Sequence, residues 1–359
     1  MQKPYFFLLS LSLIGLLAIA AVPKDLFIPH PTVKVVDVKM KLSEYGFFKG
    51  KLANLEPAEG VVPYTLNTPL FSDYAKKLRF VKIPKGKMVK YNDKQVFEFP
   101  VGSILIKNFY YDNDERKPEK GRRIMETRLL IHDEDGWTFL PYIWDEKQKD
   151  AYLEVAGGRE EVTWIKKDGT KQKLLYSVPN INQCKSCHIK GDNTTPIGPS
   201  ARQLNGTLSY ADGEANQLAK WAELEMLAGL PGDLVIVPKG IVWDDPNSGS
   251  LEERARMWLD INCAHCHNEE GPANTSGLNL HVHETDPNKL GVMKVPIAAG
   301  RGTSDRLYGI VPGKPDESIL LYRMESTDPG VMMPEVSRKL THIEGVQLIR
   351  EWIENMEQE

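Results

Sequence analysis

The sequence predicts a multidomain α+β protein: an antiparallel β-sandwich or barrel-like N-terminal domain followed by mainly α modules. Three observations predict it. Between residues 61 and 180, short β-branched and aromatic runs are separated by explicit turn residues. After residue 180, apolar residues take helical spacing between Gly- and Pro-rich stretches. All four cysteines of the 359-residue chain lie in that second part, as two Cys-x-x-Cys pairs.

The chain opens "MQKPYFFLLSLSLIGLLAIAAVPKDL". Lys3 precedes an apolar run from about Phe6 to Val22, closed by Ala18, Ala20 and Ala21. This reads as a signal peptide over residues 1–21, cleaved near Ala20 or Ala21. The run is close to the lower limit for spanning a bilayer, so the alternative is an uncleaved anchor. Membrane association is expected only in that case. No cysteine lies near the cleavage site, which excludes a lipid anchor there. Either reading puts the remaining chain outside the cytoplasm, as an exported, periplasmic protein. The net charge of −4 and the absence of a long basic run give nucleic-acid binding no support.

Residues 22–60 read as an extended lead-in, rich in Pro and Val, with a short helical turn in "KLSEYGFFKG". In the β-rich domain, residues 61–180, the candidate strands are "LRFVKI", "VFEF", "SILIKNFYY", "RIMETRLLIH", "WTFLPYIW", "VTWIKK" and "KLLYSV". Asp135-Gly136 and Asp168-Gly169 suit tight hairpins, because glycine accepts positive φ. The charged residues here, such as Glu126, Arg128 and Asp145, read as solvated or ion-paired scaffold.

Beyond residue 180, "GEANQLAKWAELEMLAGL" predicts a helix ended by Gly229. "SLEERARMWLDINC" predicts a second, with Ser250 and Glu253 as a capping box. "THIEGVQLIREWIENMEQE" predicts a third, capped by Thr341 and Glu344, with Val346, Ile349, Trp352, Ile353 and Met356 on one face. The long Gly- and Pro-rich stretch over residues 268–315 is expected to wrap something or to carry function.

Both cysteine pairs continue into histidine: Cys184-Lys-Ser-Cys187-His188 and Cys263-Ala-His-Cys266-His267. Cys-x-x-Cys-His is the attachment signature of c-type haem. Two intervening residues let both sulfurs reach the vinyl groups of one porphyrin, and the next histidine then reaches the iron. His265 is read as an internal spacer turned to solvent. A shared zinc site would normally place the pairs roughly 15–20 residues apart, far closer than here. Two redox dithiols remain possible outside the cytoplasm, but would leave the trailing histidines unexplained. The expectation is two covalently attached haem c groups, in a first haem module over residues 181–249 and a second domain over residues 250–359.

Met333, before Pro334, is the candidate sixth ligand of the second iron, since a thioether raises the potential and suits electron transfer. Met332 is expected to point elsewhere, and Met324 to form an apolar wall. The first iron has no clear sixth ligand. Met226 and Met257 read as core, His132 and His30 are not singled out, and an open iron is the remaining possibility. His281 and His283 in "NLHVHETD" read as a surface strand or loop, because no third metal ligand is nearby. "AAGRGTSDRLYGIVPGKP" reads as a haem-covering loop, with Arg301 or Arg306 near a propionate.

With these motifs in place, residues 251–359 resemble a class I cytochrome c domain: a helix into "NCAHCHN", a wrapping loop, "SILLYRM", "MPEV" and "GVQLIREWI". The chain from "LSEYGFF" onward resembles a family of exported bacterial dihaem c-type cytochromes, through "FPVGSILIKNF", "ETRLL" and "PIGPSARQLN". The resemblance implies mainly α, cytochrome c-type haem domains. It also implies haem binding by Cys184, Cys187, His188, Cys263, Cys266, His267 and Met333. The function expected is one-electron transfer between redox partners: a dehydrogenase, a cytochrome or a terminal acceptor. The alternatives are a dihaem peroxidase-like enzyme with an open first haem, and a haem-based sensor.

Overall fold

β-branched and aromatic runs with partial alternation place much of residues 61–153 in one sheet, where successive side chains leave a strand on opposite faces. The computed structural model describes residues 37–357 except Ala298 and Ser337. Residues 1–21 and His30, on which several expectations rest, lie outside the described residues. Six antiparallel strands neighbour one another in chain order: β1 (Val61–Tyr64), β2 (Lys76–Lys82), β3 (Ile104–Asp112), β4 (Arg122–Asp133), β5 (Gly136–Trp144) and β6 (Ala151–Leu153). A bulge sets Phe109 opposite Glu126 but Tyr110 opposite Ile124. The sheet is open, with β1 and β6 at its edges, so it is not a closed barrel. "VFEF" contributes only isolated bridges, from Val96 to Ser200 and from Glu98 to Lys90.

Directly paired residues share a face, so the register reads as rows across the sheet. Val81, Leu105, Leu130 and Phe139 form an apolar row. Arg79, Lys107 and Arg128 form the next row on that face, and Lys77, Phe109 and Glu126 the one after. The hairpin β7 (Gly158–Ile165) and β8 (Lys171–Val178) supplies a second layer. Its Trp164 lies 4.5 Å from Tyr111, and both pack with Phe109, Met125 and Tyr176. Gly169 turns this hairpin at φ +87°.

The second part departs from the expectation of mainly α, cytochrome c-type haem domains. The described residues are 28% strand and 25% helical, and their helices are short, which leaves the cytochrome c fold unsupported. Among the described residues these are α1 (Ile181–His188), α2 (Ala201–Leu204), α3 (Gln217–Glu223), α4 (Leu251–Leu259), α5 (Pro287–Leu290), α6 (Ile319–Glu325) and α7 (Ile343–Glu354). The physical reason is competition from backbone pairing. Gly213–Asn216 pairs with Thr207–Tyr210 instead of starting a helix, so α3 is confined to seven residues. Leu227–Ala228 pairs in parallel with Val89–Lys90, so Gly229 follows a strand rather than capping a helix. The Ser250–Glu253 box forms at α4. The Thr341–Glu344 box does not. His342 precedes α7, and the Glu344 carboxylate instead accepts from the Tyr74 hydroxyl at 2.9 Å.

Residues Lys39–Glu359 form one compact unit. Buried polar contacts join its sheet to its C-terminal part. Asp73 Oδ1 accepts from Lys339 N at 2.7 Å and from Leu340 N at 2.8 Å. The Phe71 ring stacks on His342 at 4.2 Å. Where α7 crosses α4, a Cβ on Gly345 would come within 2.6 Å of Trp258 Nε1, so this close approach requires glycine.

Candidate functional site

The first motif is carried on α1. The Asn180 side chain accepts from Gln183 N at 2.9 Å, and Gln183 Oε1 accepts from Asn180 N at 3.0 Å. This reciprocal cap stabilises a helix only eight residues long. The reading of the sequence missed it, although Asn-x-x-Gln was visible. Cys184 and Cys187 are three residues apart on this helix, hence on one side of it. α1 lies on the apolar row of the sheet: Cys184 packs in that core, and the Phe139 ring is 4.7 Å from His188.

The second motif leaves α4 through a π-type turn, Asp260–Ala264. Such turns recur at functional sites. Asn262 holds the turn in place. Its side chain donates to Trp258 O at 2.9 Å and accepts from Phe71 N at 2.8 Å. Asp260, almost wholly buried, accepts from Arg202 Nη2 at 2.7 Å, Arg202 Nε at 3.1 Å, His281 Nδ1 at 3.1 Å and Val282 N at 3.1 Å. Against the burial that would raise its pKa, these donors hold the Asp260 carboxyl down at about 2.

The two motifs, distant in sequence, meet. Cys266 and His265 lie beside Cys187, and this neighbourhood holds the Cys187 pKa down and pushes that of Cys266 up. All four cysteines are free thiols. Among the described residues, no three His, Cys, Asp or Glu side chains are grouped to hold a metal ion by themselves.

Each trailing histidine is fixed through Nδ1. His188 Nδ1 lies 2.7 Å from Thr195 O. A carbonyl only accepts, so Nδ1 carries the hydrogen and Nε2 keeps its lone pair. His267 Nδ1 lies 3.1 Å from Ser276 Oγ, whose hydroxyl donates to Ala273 O at 2.7 Å and therefore accepts from the ring. Burial pulls the His188 pKa down to about 3 and that of His267 to about 4, so both rings are neutral. An imidazole anchored at one nitrogen and neutral at the other is the usual state of a metal-ligating histidine.

A cavity of about 1200 Å³, including its open mouth, lies between the sheet and the C-terminal part. Cys187, His188, His265, Met324 and Met333 all line it. A smaller space of about 370 Å³ lies beside Cys184, Cys187 and His188. Met333 faces the larger cavity, while its buried neighbour Met332 does not line it. Met226 and Met257 are buried. His132 stacks on Trp137 at 4.7 Å. His265 lines the cavity instead of turning to solvent, because the π-type turn directs the motif toward α1. His281 and His283 stack on each other in a loop at 5.3 Å.

The cations facing the cavity differ from those expected. Arg301 pairs with Asp328 on the surface, and Arg306 stacks on Tyr322 at 4.3 Å. The row Arg79, Lys107 and Arg128 lines the cavity instead, together with Arg338. Glu126 is fully buried and neutralises Arg128, accepting from it at 2.6 and 2.8 Å. Tyr176 also donates to Glu126 at 2.6 Å, so the carboxylate is shared between Arg128 and Tyr176. Asp145 caps a turn, accepting from Lys149 N and Asp150 N. Among the described residues, no acid pairs with Arg79, Lys107 or Lys77 at ion-pair distance, and Arg79 Nη2 is buried without any partner. Burial depresses the pKa of both lysines. The Phe109 ring lies 4.9 Å from Lys107 Nζ and 6.0 Å from Lys77 Nζ. Such contacts return about 0.5–2 kcal/mol each, against several kcal/mol for desolvating each ion. The row is therefore undercompensated by the chain alone. Its sequence signal was Lys77 and Arg79 alternating on one strand, but the pairing with Lys107 and Arg128 is a matter of register.

No protein-family model, curated protein or solved structure matches this chain. No helix among the described residues is long and apolar enough to cross a membrane.

Proposed function

We propose that this chain is an exported dihaem c-type protein that transfers electrons one at a time between redox partners. One haem c is held by Cys184, Cys187 and His188, the other by Cys263, Cys266 and His267. The observation that carries the reading is the paired state of the two histidines. Each follows a Cys-x-x-Cys pair, is anchored through Nδ1 to Thr195 O or Ser276 Oγ, and keeps Nε2 free. The cavity beside Cys187 and His188, which Met333 also lines but Cys263, Cys266 and His267 do not, supports the first of the two sites further.

When bound, each haem supplies an iron that takes up and releases a single electron. The chain's own residues set the conditions. The Nδ1 bonds fix ring orientation and raise imidazole basicity. Leu105, Leu130, Ile261 and Val336 supply the apolar part of a cavity wall that also carries Arg79, Lys107, Arg128 and Arg338. Cys187 and Cys266 are neighbours, so haems attached through them would be held close together, and electron exchange falls steeply with separation. Met333 is the proposed thioether ligand.

The test is haem content of the purified full-length protein, made with haem-attachment machinery present. Intact mass and the alkaline pyridine spectrum are expected to give two haems per chain, and one in Cys187→Ala or Cys266→Ala. A Cys266→Ala protein that still carries two covalent haems would sink the assignment. Met333→Ala is expected to abolish the long-wavelength sulfur–iron band, and its persistence would remove Met333.

A further inference from the structure

Like charges placed directly opposite one another destabilise a sheet. Here Arg79, Lys107 and Arg128 are directly opposed across three adjacent strands, with Lys77 two residues from Arg79. The only carboxylate in these three rows is Glu126, and it is already shared between Arg128 and Tyr176. Arg79 is 5% exposed, and its Nη2 has no partner. All three members of the row face one cavity, whose wall also holds Cys187 and His188. A buried Arg79 with an unpartnered Nη2 and a half-buried Lys107 that no acid among the described residues pairs, both aimed at one cavity, are what a site for anions requires.

We propose that this face of β2–β4 binds a pair of carboxylates, with Arg79 and Lys107 as the principal donors and Lys77 and Arg128 behind them. The carboxylates are those of the porphyrin tethered at Cys184 and Cys187, which rests on the function proposed above. A free small dicarboxylate is the other source of the same chemistry. The site has a functional consequence. Fixed positive charge beside an iron centre favours its reduced state, so the row raises the potential of one haem and not the other.

The experiment is a spectroelectrochemical titration of the full-length protein and of Arg79→Gln, Lys107→Met and Arg79→Lys. The first two variants guard against a local folding defect at either position. The expected result is two haems per chain throughout, because thioether attachment does not depend on the row. In Arg79→Gln and Lys107→Met one haem shifts so that its reduced-to-oxidised ratio at fixed potential falls about tenfold, equivalent to about 59 mV for one electron. Arg79→Lys restores most of that shift. Two attached haems with unchanged potentials in both variants overturn the site. If the wild-type chain carries no haem, the functional reading fails separately, and succinate becomes the probe. A rise in melting temperature with succinate that Arg79→Gln abolishes retains the carboxylate site with a free ligand; no rise overturns it.

Discussion

Replacing Asp260 with asparagine removes one negative charge and keeps the shape. The carboxylate is 2% exposed and takes four hydrogen bonds, two of them from Arg202. In Asp260→Asn, Arg202 keeps the Lys94 carbonyl at 2.7 Å and at best one neutral amide oxygen as acceptors, so a largely buried cation loses its counter-charge. Breaking a buried pair in this way costs about 3–5 kcal/mol. Linkage gives a second route to the magnitude. The folded pKa of about 2 lies below the unfolded value near 3.9, so Asp260 contributes stability that is complete above about pH 4. That stability is lost as pH falls through 2, and its size is about 2.6 kcal/mol. For a unit spanning Lys39–Glu359, a loss of about 3–5 kcal/mol lowers the melting temperature by roughly 4–7 °C. Urea unfolding at pH 7 and calorimetry read both quantities, and unfolding between pH 4 and 2 should be shallower in the variant. Arg202→Met added to Asp260→Asn should recover part of the loss, because the stranded cation is gone. An Asp260→Asn protein within about 0.5 kcal/mol of wild type would refute the reasoning.

Gly345→Ala should destabilise by about 1–2 kcal/mol in urea unfolding. Overpacking against Trp258 and His342 (about 1–3 kcal/mol) outweighs the helix-propensity gain of at most ~1 kcal/mol, and a stabilised variant would refute this. His342 accepts from Trp258 Nε1 at 3.1 Å, and burial lowers its pKa to about 4. The unfolded ring near 6.5 binds a proton first, so stability falls as pH drops from 6.5 toward 4, by about 2 kcal/mol at pH 5 for this group. His342→Gln should show a smaller difference between pH 7 and 5, and an equal difference would count against it. Ser276→Ala removes the acceptor on His267 Nδ1, which should lower imidazole basicity and raise the midpoint potential of one haem. Redox titration checks it, and a fall or no change would contradict the proposal.

Much of the sheet was legible from sequence because alternation and turn residues are local. "SILIKNFYY", "WTFLPYIW" and the Asp168-Gly169 hairpin all emerge as strands or turns at those places. Helix content was overread because the apolar spacing in "GEANQLAKWAELEMLAGL" could not report that its two ends pair with strands elsewhere. The Thr341 box failed for a similar reason: Tyr74, 270 positions away in sequence, takes the Glu344 carboxylate.

By itself the sequence determined the chemical inventory: four cysteines in two Cys-x-x-Cys-His units, and a methionine before a proline. These are covalent and short-range facts, fixed by neighbours along the chain. Tertiary structure alone decided that Cys187 meets Cys266, that Thr195 and Ser276 anchor the two rings, and that His265 faces the cavity. It also decided that Arg79, Lys107 and Arg128 stand in one row. A shift of one residue in strand register would have sent that row to the opposite face. Register is set by the packing of the whole sheet, which no local pattern contains.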